Sequence, residues 1–543
     1  MRQALLGAVC LLAALWTSGI ALAEDAAPLP SLAELAASGA VIGEIRINNQ
    51  NIFNLDDKKE NNFLFRFANW AHVRTRPEVI RSQLLFKSGE PLSLRLIEES
   101  ERLLRSNRFI YDINIHPIAF HDGIVDLEVS SRDTWTIQPG ISFSRAGGSN
   151  SSGVTLKDYN LLGSGLTVGL SRKSDVDNAT SEFQVSQSHA FDGWTSIEYV
   201  NASRDDGRRQ SMSLQHPFYA LDTRWAAGFS AAQDNSVDTT YSGSTVVRQV
   251  RHKQDTAEAY GGWSQGLIDG WTRRYSIGVN YQDDAYGSDA GLPTPDPIPQ
   301  NQTLVTPFLR YELIEDHYNQ VKNYDLIERP EYLAIGLQSR AQVGRALTGL
   351  GSTRNLWTYS GTVSTGFEVS DNKTLLTSMS LAGEYASRHG ERQQLGGTAR
   401  FYSRQKDSAL FFVSFAADVT RDPNDANQLL LGGDNGLRGY PLRYQSGTRR
   451  ALLTVEERLY SDWYLFRLFR VGGAVFSDIG RAWGGPLINT TNPGWLSDVG
   501  FGLRIVSARS AFGNVVHLDF AFPLNRDSTI RSYQWLVSTK TSF

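Results

Sequence analysis

Over most of the chain, hydrophobic and polar positions alternate with a period of two. Tyr275, Ile277, Val279 and Tyr281 alternate with Ser276, Gly278, Asn280 and Gln282. Phe411, Val413, Phe415 and Ala417 alternate with Phe412, Ser414, Ala416 and Asp418, and Tyr533, Trp535 and Val537 lead in the same way to Phe543. That period marks strands with two unlike faces. The strands are long, their polar face is small and of mixed character, and aromatic residues recur near strand ends. This pattern, which sets in after Trp135, is that of an outer-membrane barrel with its apolar face to lipid and its polar face to the lumen. An open sheet edge in lipid would leave backbone groups unpaired, so such a sheet has to close on itself. Alternation does not say which face is inside, and a soluble two-sheet sandwich is the competing reading. A continuous meander of roughly 400 residues exceeds an ordinary sandwich, which favours the barrel.

Residues 40–133 read as a separate, mixed unit. Ile42, Ile45 and Ile47 lie in a strand, IGEIRI. Thr75-Arg76-Pro77-Glu78 has the form of a capping box, with Thr75 at the N-cap, and predicts a helix through Leu84-Leu85. Ser88-Gly89-Glu90-Pro91 ends it. A second helix starts near Ser93, with Leu96, Ile97, Leu103 and Leu104 on one stripe and Glu98, Glu99, Glu101 and Arg102 outside. Strands at 110–118 and 124–129 follow, joined by His121-Asp122-Gly123. The unit is β-α-α-β-β, and its outer strands, at 45–47 and 110–118, offer an exposed sheet edge.

Ahead of it lie two other segments. Arg2, the apolar run Ala4–Trp16 and Ala21-Leu22-Ala23 form a secretory signal over 1–23, and 24–39 is an Ala- and Pro-rich linker. The chain's one cysteine, Cys10, falls inside the signal. The mature chain then has no disulfide, thiolate metal site or cysteine nucleophile.

Connections along 134–543 alternate short and long. The segments near 461–465 and 508–512 are short; those at 284–302, 421–449 and 481–496 are long. Short turns belong on the periplasmic side and long loops outside. The connection at 315–330 breaks the rule, being long where parity requires a short turn. SHAFDGW (188–194) and QHPFYALDTRW (215–225) resemble one another and both fall on the short side. The spacing gives fifteen strands before the 421–449 loop and five after it, twenty in all.

Composition adds little and excludes some classes. Aromatics at 11% with 48 glycines and 18 prolines suit strands joined by tight turns. Net charge is −4, and no basic cluster exceeds Arg208-Arg209 or Arg449-Arg450, so nucleic acid is not an expected partner. The 9 histidines lack metal-ligand spacing. No G-x-S-x-G elbow or phosphate-binding loop is present. Glu98-Glu99 reads as a solvated helix face and Glu456-Glu457 as a strand position. No enzyme, metal or cofactor is expected.

One long loop carries an unusual stretch, LLLGGDNGLRGYPLRYQSG (429–447), with Arg438 between glycines. A guanidinium inside a lumen needs a paired acid, and Asp478 in FSDIG (476–480) offers a bidentate partner. The plain alternative is an exposed loop with a solvated arginine. Four stretches resemble a known group: FKSGEPLSLRLIEESERLLRSNRFIYDINI (86–115), LKDYNLLGSGLTVGL (156–170), GGDNGLRGY (432–440) and FSDIG. Together they resemble the superfamily of outer-membrane assembly and translocation barrels that includes the barrel-assembly protein BamA, the translocation-and-assembly protein TamA and the two-partner-secretion transporters.

The resemblance makes 40–133 a single polypeptide-transport-associated (POTRA-like) domain in the periplasm and 134–543 a barrel in the outer membrane of a Gram-negative bacterium, surface-antigen type. The family's barrels have sixteen strands, against twenty from spacing here. It implies that the loop at 421–449 folds into the lumen, locked by Arg438 on Asp478. Gly432, Gly433, Gly436, Leu437, Gly439 and Tyr440 would shape that loop, and Phe476 and Gly480 the strand receiving it. Tyr533, Trp535, Val537 and Phe543 would form the C-terminal insertion strand. The function implied is that of an insertase or translocase for unfolded or secreted polypeptide clients, working with outer-membrane lipid and an accessory periplasmic or inner-membrane protein. The alternative is a passive pore, a lipid-trafficking barrel or a structural surface antigen.

Overall fold

The computed structural model describes residues 29–543 except 243–244, 289–297, 387–388, 422–427, 485–492, 509–514, 529 and 541–543. The expected signal at 1–23 and Phe543 lie outside the described residues.

The N-terminal unit is a three-stranded sheet covered by helices. Its elements are α1 (Leu32–Ala37), β1 (Val41–Gln50), α2 (Phe63–Ala71), α3 (Pro77–Arg81), α4 (Leu94–Ser106), β2 (Ile110–His121) and β3 (Ile124–Asp133). The sheet order is β1-β3-β2, with β1 parallel and β2 antiparallel to β3. Period-two residues of the strands (Ile113, Ile115, Val125, Leu127, Val129) meet Ile97 and Leu104 of α4 in one core. Each such buried side chain contributes about 1.5–3 kcal/mol.

Several local expectations are corrected. The 24–39 linker contains α1, closed by a Ser31–Glu34 capping box and tied down by the fully buried Leu35. Thr75 is not a cap. Its hydroxyl and backbone N–H donate to Asp133 at 2.9 and 2.7 Å, and Arg76 takes the N-cap position without a side-chain bond. The helix stops at Arg81 because Leu84 and Phe86 turn inward to the core. α2 was not anticipated: in its nine residues, FLFRFANWA, only Arg66 and Asn69 are polar, too few to set a stripe over so short a run. Glu98 is exposed as expected, but Glu99 is buried under the barrel.

The outer strands are not open edges where they turn away from β3. Ile42 exchanges backbone bonds with Glu90 and Gly89, and Arg81 donates to the Ile45 carbonyl at 3.0 Å. On β2, Glu101 accepts the Ile115 N–H at 2.7 Å and Arg105 donates to the Ile113 carbonyl.

Twenty antiparallel strands form a closed barrel. Ten run from Ile137–Ala146 to Gln302–Glu315, five from Gln338–Ala346 to Ala409–Arg421, and five from Arg449–Leu465 to Gln534–Lys540. Each pairs with its neighbour in sequence, and the last meets the first. The count agrees with the spacing and exceeds the sixteen strands implied by resemblance. Ile277, Leu309, Val475, Phe501 and Leu503 are exposed on the outer face, while Ser276, Arg310 and Asp519 are buried toward the lumen. The apolar face is therefore the outer one, as a transmembrane barrel requires.

The N-terminal unit sits under one rim. Arg76 N–H bonds the Gly163 carbonyl, Glu99 accepts the Leu221 N–H at 2.9 Å, and Arg95 pairs with Asp222. These contacts reach the barrel turns that follow Leu161 and His216. Burial raises the Glu99 pKa above the ordinary carboxylate range, opposed by the Leu221 N–H and by Arg102 and Arg95. On this rim the strand Arg449–Leu465 continues through the expected turn at 461–465, and the chain reverses at 466–468 instead. The two similar segments stack on one another, Trp194 on Tyr219 with ring centroids 3.9 Å apart.

Candidate functional site

The described part of the long loop begins with a short ladder, Leu429–Leu431 against Gln445–Gly447, and turns through Gly433–Asn435. Gly433 places that turn against Gly147, in the first barrel hairpin, and Gly432 lies against Pro441 and Tyr444 of the same loop. Gly436 adopts φ 121°, which L side chains rarely reach, and a Cβ there would overlap Leu452. The chain is thus aimed into the lumen, where Leu437 and Tyr440 are fully buried with Leu431, Ala482, Leu496 and Ile530.

Arg438 is at the centre. It is 6% exposed, and its guanidinium forks onto Asp478 through Nε (2.7 Å) and Nη2 (2.9 Å). Nη1 donates to Glu456 at 3.0 Å and lies 3.8 Å from Asp519. Thr454 steadies Asp478 with a 2.8 Å bond. The Phe476 ring lies beneath the guanidinium, 3.3 Å from its carbon, in the geometry of a cation–π contact. Removing one partner of such a buried set costs about 3–5 kcal/mol, because the other charges remain without water.

The next two residues complete the lock. Gly439 N–H donates to Asp498 at 2.9 Å, and a Cβ on Gly439 would come within 2.9 Å of the Asp498 Cβ. Tyr440 donates its hydroxyl to the carbonyls of Ser497 (2.9 Å) and Asn525 (3.0 Å). Gly480, opposite Leu452 in register, leaves room for Leu431. Arg438, Asp478, Phe476, Gly439 and Tyr440 are therefore brought together as the motifs implied.

Reasoning from sequence missed Glu456, Arg458, Asp498 and Asp519. Two signals pointed to the first three of them. Thr454, Glu456 and Arg458 recur every second residue on one strand, so they share its lumenal face. Ser497-Asp498-Val499-Gly500 repeats Ser477-Asp478-Ile479-Gly480, and Asp498 lies opposite Asp478 in register.

The anomalous connection on the domain side also enters the lumen. Tyr318–Lys322 pairs with Pro330–Ala334 as a two-stranded hairpin outside the barrel sheet. Its tip buries Tyr324 and Ile327 among Tyr402, Leu410, Phe412 and Tyr460. Arg458 donates to the Tyr324 carbonyl at 2.7 Å and bonds Glu456 at 3.1 Å. At its base, Arg105 of α4 donates to the Tyr332 hydroxyl at 2.7 Å and Arg102 covers the Tyr318 ring at 4.1 Å. A continuous chain of contacts therefore runs from α4 through the hairpin to Arg458, Glu456 and Arg438.

The third feature is the seam. Among the described residues, the first and last barrel strands share one register pair, Val537 with Arg145. Their other neighbours are zipped over whole runs, Ile137–Ala146 against Ser149–Asp158 and Val515–Ala521 against Gln534–Lys540. Side chains help hold the seam: Phe143 stacks on Trp535 at 6.4 Å, and Arg145 covers the Trp535 ring at 4.9 Å. Tyr533 precedes the last strand, which starts at Gln534. The lock abuts the seam directly, since Phe476 packs with Leu536 of the last strand and Ala146 of the first.

No family model and no curated protein matches this chain. Among solved structures it is similar to BamA from Haemophilus ducreyi lacking POTRA domains 1–3, at 12% identity, covering 91% of this chain and 84% of that one, TM-score 0.38. It is similar to CdiB from Acinetobacter baumannii, at 12% identity, covering 92% and 73%, TM-score 0.46. It is also similar to CdiB from Escherichia coli, at 12% identity, covering 92% and 76%, TM-score 0.45. Matches this distant carry no argument about function. The class defined by the structure itself is a twenty-stranded transmembrane barrel with an N-terminal α/β domain under one rim.

Proposed function

We propose that this protein is an outer-membrane insertase or translocase for polypeptide chains, with a POTRA-like periplasmic receptor domain and a barrel that opens at its own seam. The observation that carries the reading is that, among the described residues, one register pair joins Ile137–Ala146 to Gln534–Lys540. Backbone groups left unpaired there are costly in lipid, and an incoming strand would satisfy them. The Arg438 lock packs against this seam through Phe476 and against the first hairpin through the Leu442 N–H bond to Gly147. No covalent chemistry is required, because folding of the client supplies the driving force. A passive pore would keep its lumen clear, whereas here the Arg438 loop and the 318–334 hairpin both enter it.

The test is to lock the seam. With Cys10 replaced by serine, Arg145→Cys with Val537→Cys places two thiols on facing residues, within disulfide reach. In a deletion strain, the unmodified chain and each single-cysteine variant should restore the depleted outer-membrane or secreted proteins. The bridged double variant should restore none while remaining a heat-modifiable barrel. Full restoration by the bridged form would refute seam opening and favour the passive barrel.

A further inference from the structure

The face of α2 turned away from the protein is an exposed apolar surface. Phe63 is 75% exposed and Trp70 80%, and Leu64, Phe67 and Val73 are exposed beside them. An isolated exposed apolar side chain is ordinary, but a contiguous aromatic cluster on one short helix marks an interaction surface. The helix is not loose. Asn62 caps it, accepting the Phe65 N–H at 3.0 Å, and Phe65 stacks on Phe53 at 3.9 Å. Asn69 exchanges bonds with both backbone groups of Phe53. The fold therefore spends its polar contacts on holding this helix with its aromatic residues outward.

Its position says what covers it. The small core beneath α2 (Ile52, Phe53, Phe65) packs on two parts of the barrel, Trp135 just before the first strand and Leu468 in the turn at 466–468. Arg467 reaches Asp57 at 3.5 Å in the same place. Beside that turn, Phe466 is 83% exposed, and Trp463, Leu465 and Phe469 are exposed as well. These residues continue the outer face of the strands Arg449–Leu465 and Phe469–Trp483, whose Val475 and Ile479 are exposed to lipid. The aromatic face of α2 thus adjoins the apolar belt at the domain-side rim.

We infer that α2 is an interfacial helix, with Phe63, Leu64, Phe67, Trp70 and Val73 seated in the periplasmic leaflet of the bilayer that surrounds the barrel. Helices of this kind bury an apolar face about 5–10 Å into the headgroup boundary, and tryptophan prefers that depth. The helix would fix the domain against the membrane, next to the rim between the seam and the 466–468 turn. This does not depend on what the barrel passes.

The full chain, with Cys10 replaced by serine, is reconstituted in phosphatidylethanolamine–phosphatidylglycerol vesicles. One cysteine is introduced at a time and carries an environment-sensitive fluorophore: Trp70→Cys on α2, Leu503→Cys on the lipid-facing wall, or Lys87→Cys on the exposed side of the domain. Acyl-chain-brominated lipid should quench the label at 70 severalfold more than at 87, approaching the value at 503. In the same assay Phe67→Asp should reduce quenching of a label at Val73→Cys severalfold, while the barrel stays heat-modifiable. Equal quenching at 70 and 87 would overturn the inference. So would shielding of the label at 70 that appears only when an unfolded polypeptide is added, since that would make the face a client site.

Discussion

At the scale of single residues, Arg438 ties the loop to the barrel wall. It satisfies Asp478, Glu456 and the Phe476 ring in one buried constellation. Arg438→Ala strands these carboxylates, a loss of about 3–5 kcal/mol. That loss falls on the loop rather than on the strand ladders. The expected outcome is a heat-modifiable barrel whose segment 428–448 becomes cleavable by added protease, with a larger loss of client restoration than of folding. Arg438→Lys should fall between, because an ammonium cannot fork onto Asp478. A protected loop in the alanine variant would contradict this. The Arg438–Asp478 pair was legible in the order of its two motifs. The second aspartate, Asp498, is marked only by the repeat of Ser-Asp-x-Gly, and strand register is what places it beside Asp478 to receive the Gly439 N–H.

At the scale of elements, the 318–334 hairpin decides how the lumen is filled. Loop parity marked this connection as too long for its side, but nothing in its composition says that Tyr324 ends up stacked on Tyr402. The hairpin meets the Arg438 network through Arg458 and touches α4 through Tyr318 and Tyr332. Replacing residues 319–333 with a short Gly-Ser turn should raise single-channel conductance in planar bilayers severalfold over the parent chain. Unchanged conductance would show that the Arg438 loop alone closes the pore. The helices show the reverse of the barrel's legibility. α4 was readable from its stripe of Leu96, Ile97, Leu103 and Leu104, whereas α2, nine residues with only Arg66 and Asn69 polar, is too short to show one.

At the scale of the whole molecule, the main core of the domain is separate from the barrel, and the two meet through polar contacts (Glu99 with Leu221, Arg95 with Asp222, Asn160 with Thr75) and one apolar joint, where Ile52, Phe53 and Phe65 pack on Trp135 and Leu468. Removing residues 41–132 should therefore leave a heat-modifiable barrel in the outer membrane while abolishing client restoration. Full restoration by the truncated barrel would remove the domain's role as receptor, and failure of the barrel to fold would make the domain part of assembly. What the sequence by itself determined is periodic: the strands, their number, the side of each connection and the mixed α/β character of the first unit. Period-two alternation reports a strand and its two faces because side-chain direction is a local property of the backbone. How few backbone pairs among the described residues closed the seam, that Arg438 lay over Phe476 beside that seam, and that β1 and β2 had their edges covered by loop and helix groups were decided only by the tertiary structure. Each of these depends on residues hundreds of positions apart meeting in a closed sheet, and no local pattern carries that information.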